Sequence, residues 1–201
     1  MKKTVKIGIC GMSGSGKSYV SSVFASFGGR HINTDEVYHK LLMPKDGAMS
    51  PCTSEIVSEF GEDVADGETV NRVKLGRIVF NDPEKLKKLN SIAHKYVKEA
   101  TDRITLRCRA PFVLIDAPVL FESGFDAFCD FTVCVVADEK TLIDRICARD
   151  GISVSEAKRR LSVQLSGEEL QKKCDFSIDN SRGRDVTEDV KKILVEKGLV
   201  K

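Results

Sequence analysis

Gly11-Met12-Ser13-Gly14-Ser15-Gly16-Lys17-Ser18 is the stretch that decides the fold. It fits G-x-x-x-x-G-K-[ST] at every fixed position, with the apolar, β-branched run Val5–Cys10 before it and amphipathic helical spacing after it. A nucleotide's β-phosphate has to be wrapped by backbone N–H groups, and glycines let the chain turn that tightly around an anion. Lys17 adds a mobile positive charge for the β- and γ-phosphates, and the Ser18 hydroxyl is a ligand for Mg²⁺. The following helix points its positive end at the phosphates. Gly11 to Ser18 and the adjoining Tyr19 are therefore the nucleotide-binding candidates. The strand–loop–helix setting weighs against a glycine-rich turn that binds nothing.

Outward from this loop, short apolar runs recur at Val5–Cys10, His31–Ile32, Phe112–Ile115, Phe131–Val136 and Phe176–Ile178, separated by longer amphipathic stretches. Such continuous apolar character predicts strands buried on both faces of a parallel sheet, with helices as crossovers. The second run is weak and rests on its position. Between the second and third runs, about 36–109 holds no convincing strand. A plain crossover needs only about a dozen residues, so this stretch is expected to build a helical substrate-binding lobe. Asp82-Pro83 begins its longest helix, an acidic N-cap followed by proline at the first helical position, and Leu86, Leu89, Ile92, Ala93 and Tyr96 give the apolar stripe. A third region, about 139–170, is helical and arginine-rich, and Ser153 and Glu156 have capping-box spacing after the Asp150-Gly151 turn.

Charged residues stand at strand ends, where the ligand crevice of a parallel sheet lies. Phe112-Val-Leu-Ile-Asp116 is an apolar strand ending in an acid, the Walker-B pattern, and Asp116 either holds Mg²⁺, directly or through water, or caps the next turn. Asp35 follows the second strand. It is placed to accept the proton of an attacking hydroxyl, or to N-cap a helix over Glu36–Leu42, or both. Arg145 and Arg149 share a helix face, as do Arg160 and Gln164 on the next helix. Arginines converging on a transferring phosphoryl group neutralise its charge; a solvated helix face is the plain alternative.

Bulk properties bound the reading. A chain of 201 residues accommodates one α/β domain with an insertion or a lid, and is too short for two catalytic domains. Its 41% hydrophobic and 31% charged residues match a soluble globular protein, and a net charge of +2 with interspersed signs implies no nucleic-acid surface. The seven cysteines include no C-x-x-C pair, which suits buried thiols in a reducing compartment better than a disulfide framework or a zinc site. The N-terminus Met1-Lys2-Lys3 is basic, but Val5–Cys10 is too short for a signal-peptide core. No apolar stretch reaches the roughly 20 residues of a membrane span. The expectation is a cytoplasmic enzyme with no nucleic-acid or membrane partner; oligomeric state is not readable.

From end to end the chain resembles the dephospho-CoA kinase family. The resemblance is carried by the phosphate loop, by Asn33-Thr-Asp35-Glu36, and by Asn71-Arg72 through Leu75-Gly76 and Val79-Phe80 to Leu89-Asn90-Ser-Ile-Ala-His94. It continues in Asp116-Ala-Pro118-Val-Leu120-Phe121-Glu122, Arg149-Asp150-Gly151 with Arg160 and Gln164, and Asp175-Phe-Ser-Ile178-Asp-Asn180. It implies a three-layer α/β P-loop NTPase fold with a five-stranded parallel sheet, a helical CoA-binding insertion and a helical lid. The corresponding ranges are a core of about 1–35, 110–138 and 174–201, a lobe of about 36–109 and a lid of about 139–173. It further implies transfer of the ATP γ-phosphate, with Mg²⁺, to the ribose 3′-hydroxyl of dephospho-CoA. Asp35 then matches the base, Lys17, Arg149 and Arg160 the phosphate-handling cations, and Asn180 the segment near the adenine. Arg72, His94 and Glu122 match positions in or near the acceptor lobe, although His94 alone reads as a satisfied helix histidine.

Three departures stand out: Asn33 replaces the first aspartate of the family's D-x-D, Lys95 stands where proline usual follows the histidine, and Tyr19 replaces a small hydroxyl residue. The alternative within enzymes is another P-loop small-molecule kinase, of the nucleoside monophosphate or shikimate type. A GTP-dependent switch is disfavoured, because Asp116-Ala-Pro-Val119 lacks the glycine of D-x-x-G and no N-K-x-D segment occurs.

Overall fold

The computed structural model describes residues 3–201; Met1 and Lys2, which open the basic N-terminus and the range assigned to the core, lie outside the described residues. The elements run β1 (Val5–Gly11), α1 (Lys17–Ser26), β2 (Arg30–Asn33), α2 (Thr34–Leu41), α3 (Pro51–Phe60), β3 (Ala65–Asp66), β4 (Thr69–Val70), α4 (Arg72–Val79) and α5 (Pro83–Leu106). They continue with β5 (Phe112–Asp116), β6 (Phe131–Val136), α6 (Glu139–Asp150), α7 (Val154–Ser162), α8 (Gly167–Lys173), β7 (Phe176–Asp179) and α9 (Thr187–Glu196). The chain divides into two compact units, one of residues up to Ile32 together with Cys108–Lys201, the other Asn33–Arg107.

The first unit is built on a five-stranded sheet in the order β2-β5-β1-β6-β7. The β1–β5, β1–β6 and β6–β7 pairings are parallel, with Ile9 opposite both Asp116 and Val133. Each of the five apolar runs in the sequence is a strand of this sheet. Alternation sorts their side chains: Ile7 and Ile9 join Leu114, Val133 and Ile178 in a core closed by Val20 and Phe24 of α1 and Val190 and Leu194 of α9. Helices α6 and α7 enclose a smaller cluster of Leu142, Ile143, Ile146, Ala157 and Leu161. Two capping boxes set helix starts here. Ser153 and Glu156 close α7 as their spacing predicts, and Ser166 with Glu169 does the same for α8.

The second unit is helical. Cys52, Ile56 and Val57 of α3 pack with Leu75 and Val79 of α4 and Ile92 of α5. Asp82 caps α5 by accepting from the Glu84 and Lys85 amides, with Pro83 at the first position, as the sequence predicts. The absence of strands expected over 36–109 is corrected by the hairpin β3–β4, two residues a side, turning at Gly67 with φ +59°. Strands that short carry no readable alternation. Lys95 keeps α5 continuous where a proline would remove an amide donor. Its Nζ and the Tyr96 hydroxyl both donate to Glu55 Oε2 of α3, at 2.6 and 2.7 Å.

Candidate active site

The loop between β1 and α1 is shaped by three glycines, each with no room for a side chain. A Cβ on Gly11 would lie 2.6 Å from the Val135 carbonyl oxygen and 2.7 Å from Ser15 Oγ. Gly14 and Gly16 have φ +80° and +81°, and a Cβ there would meet the Leu142 carbonyl oxygen at 2.6 Å and Asn180 Nδ2 at 2.2 Å. Gly16 caps α1 without a side-chain acceptor, so the opening amides of the helix are left for a ligand.

Side chains remote in sequence brace this loop from its own unit. Arg145 of α6 donates from Nη1 to the carbonyls of Gly14 and Ser15, at 3.3 and 3.2 Å. Asn180, buried just after β7, donates from Nδ2 to the Ser15 carbonyl at 2.8 Å. Gln164, after α7, accepts the Ser13 amide on Oε1 at 2.9 Å. These contacts rigidify the backbone whose amides would face phosphate, which is electrostatic preorganisation. The loop, Pro118, Arg145, Arg149 and Gln164 line a cleft of about 620 Å³.

Lys17 Nζ makes an ion pair with Asp116 Oδ1, while His31 Nε2 lies 3.4 Å from Asp116 Oδ2. Asp116 is buried at the end of β5. Burial works to raise its carboxyl pKa, but the His31 hydrogen bond and the Lys17 charge outweigh it and leave the group below the ordinary carboxylate range. Asp116 is therefore an anion beside the loop. Arg149 grips Asp150 with Nε and Nη2 at 2.7 and 2.8 Å and reaches Ser13 Oγ at 3.3 Å. Arg160 also pairs with Asp150, and the two arginines hold that carboxyl well below its usual value. Ser18 and Tyr19 stand exposed on the first turn of α1. Glu122 is exposed and lines a second cavity of about 540 Å³, together with Cys10, Gly11 and Gln164.

The remaining candidates belong to the helical unit. Asp35 lies in the first turn of α2, and the expectation that it caps a helix starting at Glu36 is corrected: Asn33 is the cap, its Oδ1 accepting the Asp35 and Glu36 amides at 2.9 and 3.2 Å. A β-strand ending in asparagine supplies the extended backbone and the side-chain acceptor that a cap needs. The Asp35 carboxylate is exposed and has no hydrogen bond or ion pair among the described residues. Arg72 opens α4 on the surface. His94, on α5, is half-buried, and burial followed by the Lys98 charge lowers its pKa, so the imidazole is neutral at pH 7.

The structure thus gathers Gly11–Ser18, Asp116, Arg149 and Asn180 at one loop, and adds three residues that were not singled out as site residues: Arg145, Gln164 and His31. Helix spacing places Arg145 with Arg149 on α6, which is the available signal, whereas the expectation that Gln164 shares a helix with Arg160 is corrected: α7 ends at Ser162, and Gln164 lies in the loop after it. His31 lay in the weak second run and gave none.

A protein-family model described as dephospho-CoA kinase matches residues 5–185. A dephospho-CoA kinase of Listeria monocytogenes is 36% identical over 188 residues, covering 90% of this chain and 91% of its own. The solved dephospho-CoA kinase of Campylobacter jejuni superposes with a TM-score of 0.62 at 26% identity, over 96% of this chain and 98% of its own. A shikimate kinase from Bacteroides thetaiotaomicron shares the fold, with a TM-score of 0.53 at 13% identity over 97% of this chain and 99% of its own.

Proposed function

The chain belongs to the dephospho-CoA kinase family, and from that premise we propose that it transfers the γ-phosphate of ATP to the ribose 3′-hydroxyl of dephospho-CoA, giving coenzyme A and ADP. The observation that carries this reading is the braced loop, with left-handed glycines at 14 and 16 and Lys17 resting on an anionic Asp116.

Phosphoryl transfer asks the protein for position and charge rather than for covalent chemistry. The loop amides hold the β-phosphate, and Lys17 leaves Asp116 to follow charge on the β- and γ-oxygens. Arg149 and Arg160, oriented by their shared grip on Asp150, supply further positive charge. Asp35 takes the proton of the attacking hydroxyl; it is available for this because Asn33 has taken over the capping. Arg72, His94 and Glu122 are assigned to the acceptor, and Asn180, through Ser15, to the loop beneath the nucleotide. The segment 36–109 is assigned as acceptor lobe and 139–173 as lid, with the remainder as core.

The residues also suit Mg²⁺. Ser18 and Asp116 offer hard oxygen donors, the chemistry this ion selects, and the rest of its shell is expected from phosphate and water. Among the described residues no group of three or more His, Cys, Asp or Glu side chains forms a protein-only metal cage. When bound, Mg²⁺ neutralises charge developing between the β- and γ-phosphates. No helix among the described residues is long and apolar enough to cross a membrane, and the cytoplasm is the proposed location.

Release of ADP, followed by a coupled assay with dephospho-CoA, nucleoside monophosphates and shikimate in turn, tests the acceptor. Saturable turnover is expected with dephospho-CoA. Saturable turnover with one of the others and none with dephospho-CoA would overturn the assignment.

A further inference from the structure

Three thiols meet where β1 runs into the phosphate loop. Cys10 immediately precedes Gly11, and its Cα is in register with that of Cys134 on β6. Cys174, the residue that ends α8, brings its Sγ to 3.5 Å from Cys10 Sγ. All three are free thiols. A disulfide needs its sulfurs at about 2.05 Å, so closure asks for a movement of about 1.5 Å.

Access and ionisation differ between the partners. Cys134 is fully buried in mid-sheet and Cys10 nearly so, whereas Cys174 is partly exposed. Cys10 also lines the cavity of about 540 Å³ bordered by Glu122, Glu169 and Leu170, which gives a small oxidant a route to the pair. Hydrogen bonding with the Cys10 thiol, and then with Cys134, holds Cys174 below the usual thiol range although burial works the other way. Cys10 is pushed up by its hydrogen bond with Cys174 and by its own burial. Cys174, the partly exposed thiol, is accordingly the one that an oxidant meets first, with Cys10 behind it.

We propose that Cys174 and Cys10 form a reversible redox pair that a hydroperoxide closes to a disulfide, disabling the phosphate loop. In the first step the Cys174 sulfur attacks one peroxide oxygen. An S–O bond forms as the O–O bond breaks, and the departing oxygen takes up a proton, leaving Cys174 as a sulfenic acid. The Cys10 sulfur then attacks that of Cys174, forming S–S as S–O breaks, and the Cys10 proton leaves with the hydroxyl as water. Two electrons pass from the two thiols to the peroxide, and a dithiol reductant returns them. The link to function is Gly11. It follows Cys10 directly and has no room even for a Cβ beside the Val135 carbonyl and Ser15 Oγ, so a displacement of Cys10 is carried into the first residue of the loop. Bond formation rests on the sulfur geometry; its effect on turnover rests on the kinase reading above.

The test is to treat the full chain with hydrogen peroxide, alkylate the remaining thiols, map the cross-linked peptides, and measure Mg·ATP affinity by calorimetry before and after. A Cys10–Cys174 cross-link, ATP binding weakened by about tenfold or more and recovery with dithiothreitol are expected. Cys174→Ser should keep the affinity of the reduced protein and lose peroxide sensitivity, while Cys134→Ala should still form the cross-link. If Cys174→Ser does not fold, Cys10→Ala gives the same reading. A cross-link through Cys134, over-oxidation of Cys174 without a cross-link, or a Cys10–Cys174 bond with ATP affinity unaltered would overturn the proposal. Reduced protein that binds ATP but does not turn over dephospho-CoA counts against the acceptor assignment alone, because cross-linking and ATP affinity are read without an acceptor.

Discussion

The two units of the chain equip their candidate residues in opposite ways. In the sheet unit the cationic candidates and the loop arrive tethered: Lys17 to Asp116, Arg149 and Arg160 to Asp150, and the loop carbonyls to Arg145 and Asn180. In the helical unit Asp35 and Arg72 stand exposed, and the Asp35 carboxylate has no partner among the described residues. Electrostatic stabilisation is strongest when charges are fixed before the reaction. A proton acceptor, by contrast, has to be reachable and unengaged. In the proposed mechanism this contrast corresponds to phosphate handling by the sheet unit and acceptor activation by the helical one.

The largest effect that would sharpen this contrast is expected from Asp35→Asn. Its kcat should fall about 10²–10⁴-fold, the usual contribution of a general base, with ATP affinity unchanged in equilibrium binding. An unchanged kcat would break the assignment. Next comes Lys17→Ala, for which kcat/KM should drop about 10²–10³-fold and ATP binding should weaken as well. A loss of rate at unaltered ATP affinity would mean that the lysine makes no ground-state phosphate contact.

Asp116→Asn should cost about 3 kcal/mol of stability at neutral pH, the lower end for breaking a buried ion pair, because Lys17 loses its counter-charge. The carboxyl's folded pKa lies below its ordinary 3.8, so the stabilisation is full above that ordinary value and is lost as pH falls through the folded one. Urea melts of both proteins from neutral pH downwards should converge at the acid end; a constant gap would exclude the ion pair as its source. Asn180→Ala is the mildest. It removes one donor from Ser15 while Arg145 still serves the same oxygen, so about 0.5–1.5 kcal/mol is expected, with a raised KM for ATP. An unchanged KM would show that bracing by Asn180 is dispensable.

What could be read from sequence follows the range of the interaction concerned. The loop and the five strands are local patterns, and each appears where its pattern lies. Helix caps were equally readable where spacing is short, as at Asp82 and Ser153, and the misplaced cap at Asp35 lay only two residues from the true one at Asn33. Both residue types cap well, and only the backbone turn separates them. The hairpin at Ala65–Val70 was too short to show a period. Arg145, Gln164 and Asn180 reach the loop across 130 or more residues of chain; spacing puts Arg145 on a helix face with Arg149 but does not say what that face meets, and the expected helical position of Gln164 is corrected, because α7 ends at Ser162. The role of His31 depends on β2 lying beside β5, which no local pattern states.

The successive Ser-x-x-Glu starts of α7 and α8 carry a consequence for motion. Each helix satisfies two of its leading amide donors from within four residues, those of Ser153 and Glu156 in one and of Ser166 and Glu169 in the other, so its first turn is fastened locally. A displacement of either rod would be taken up in the joints around Gly151 and Leu165, with the coils themselves travelling intact.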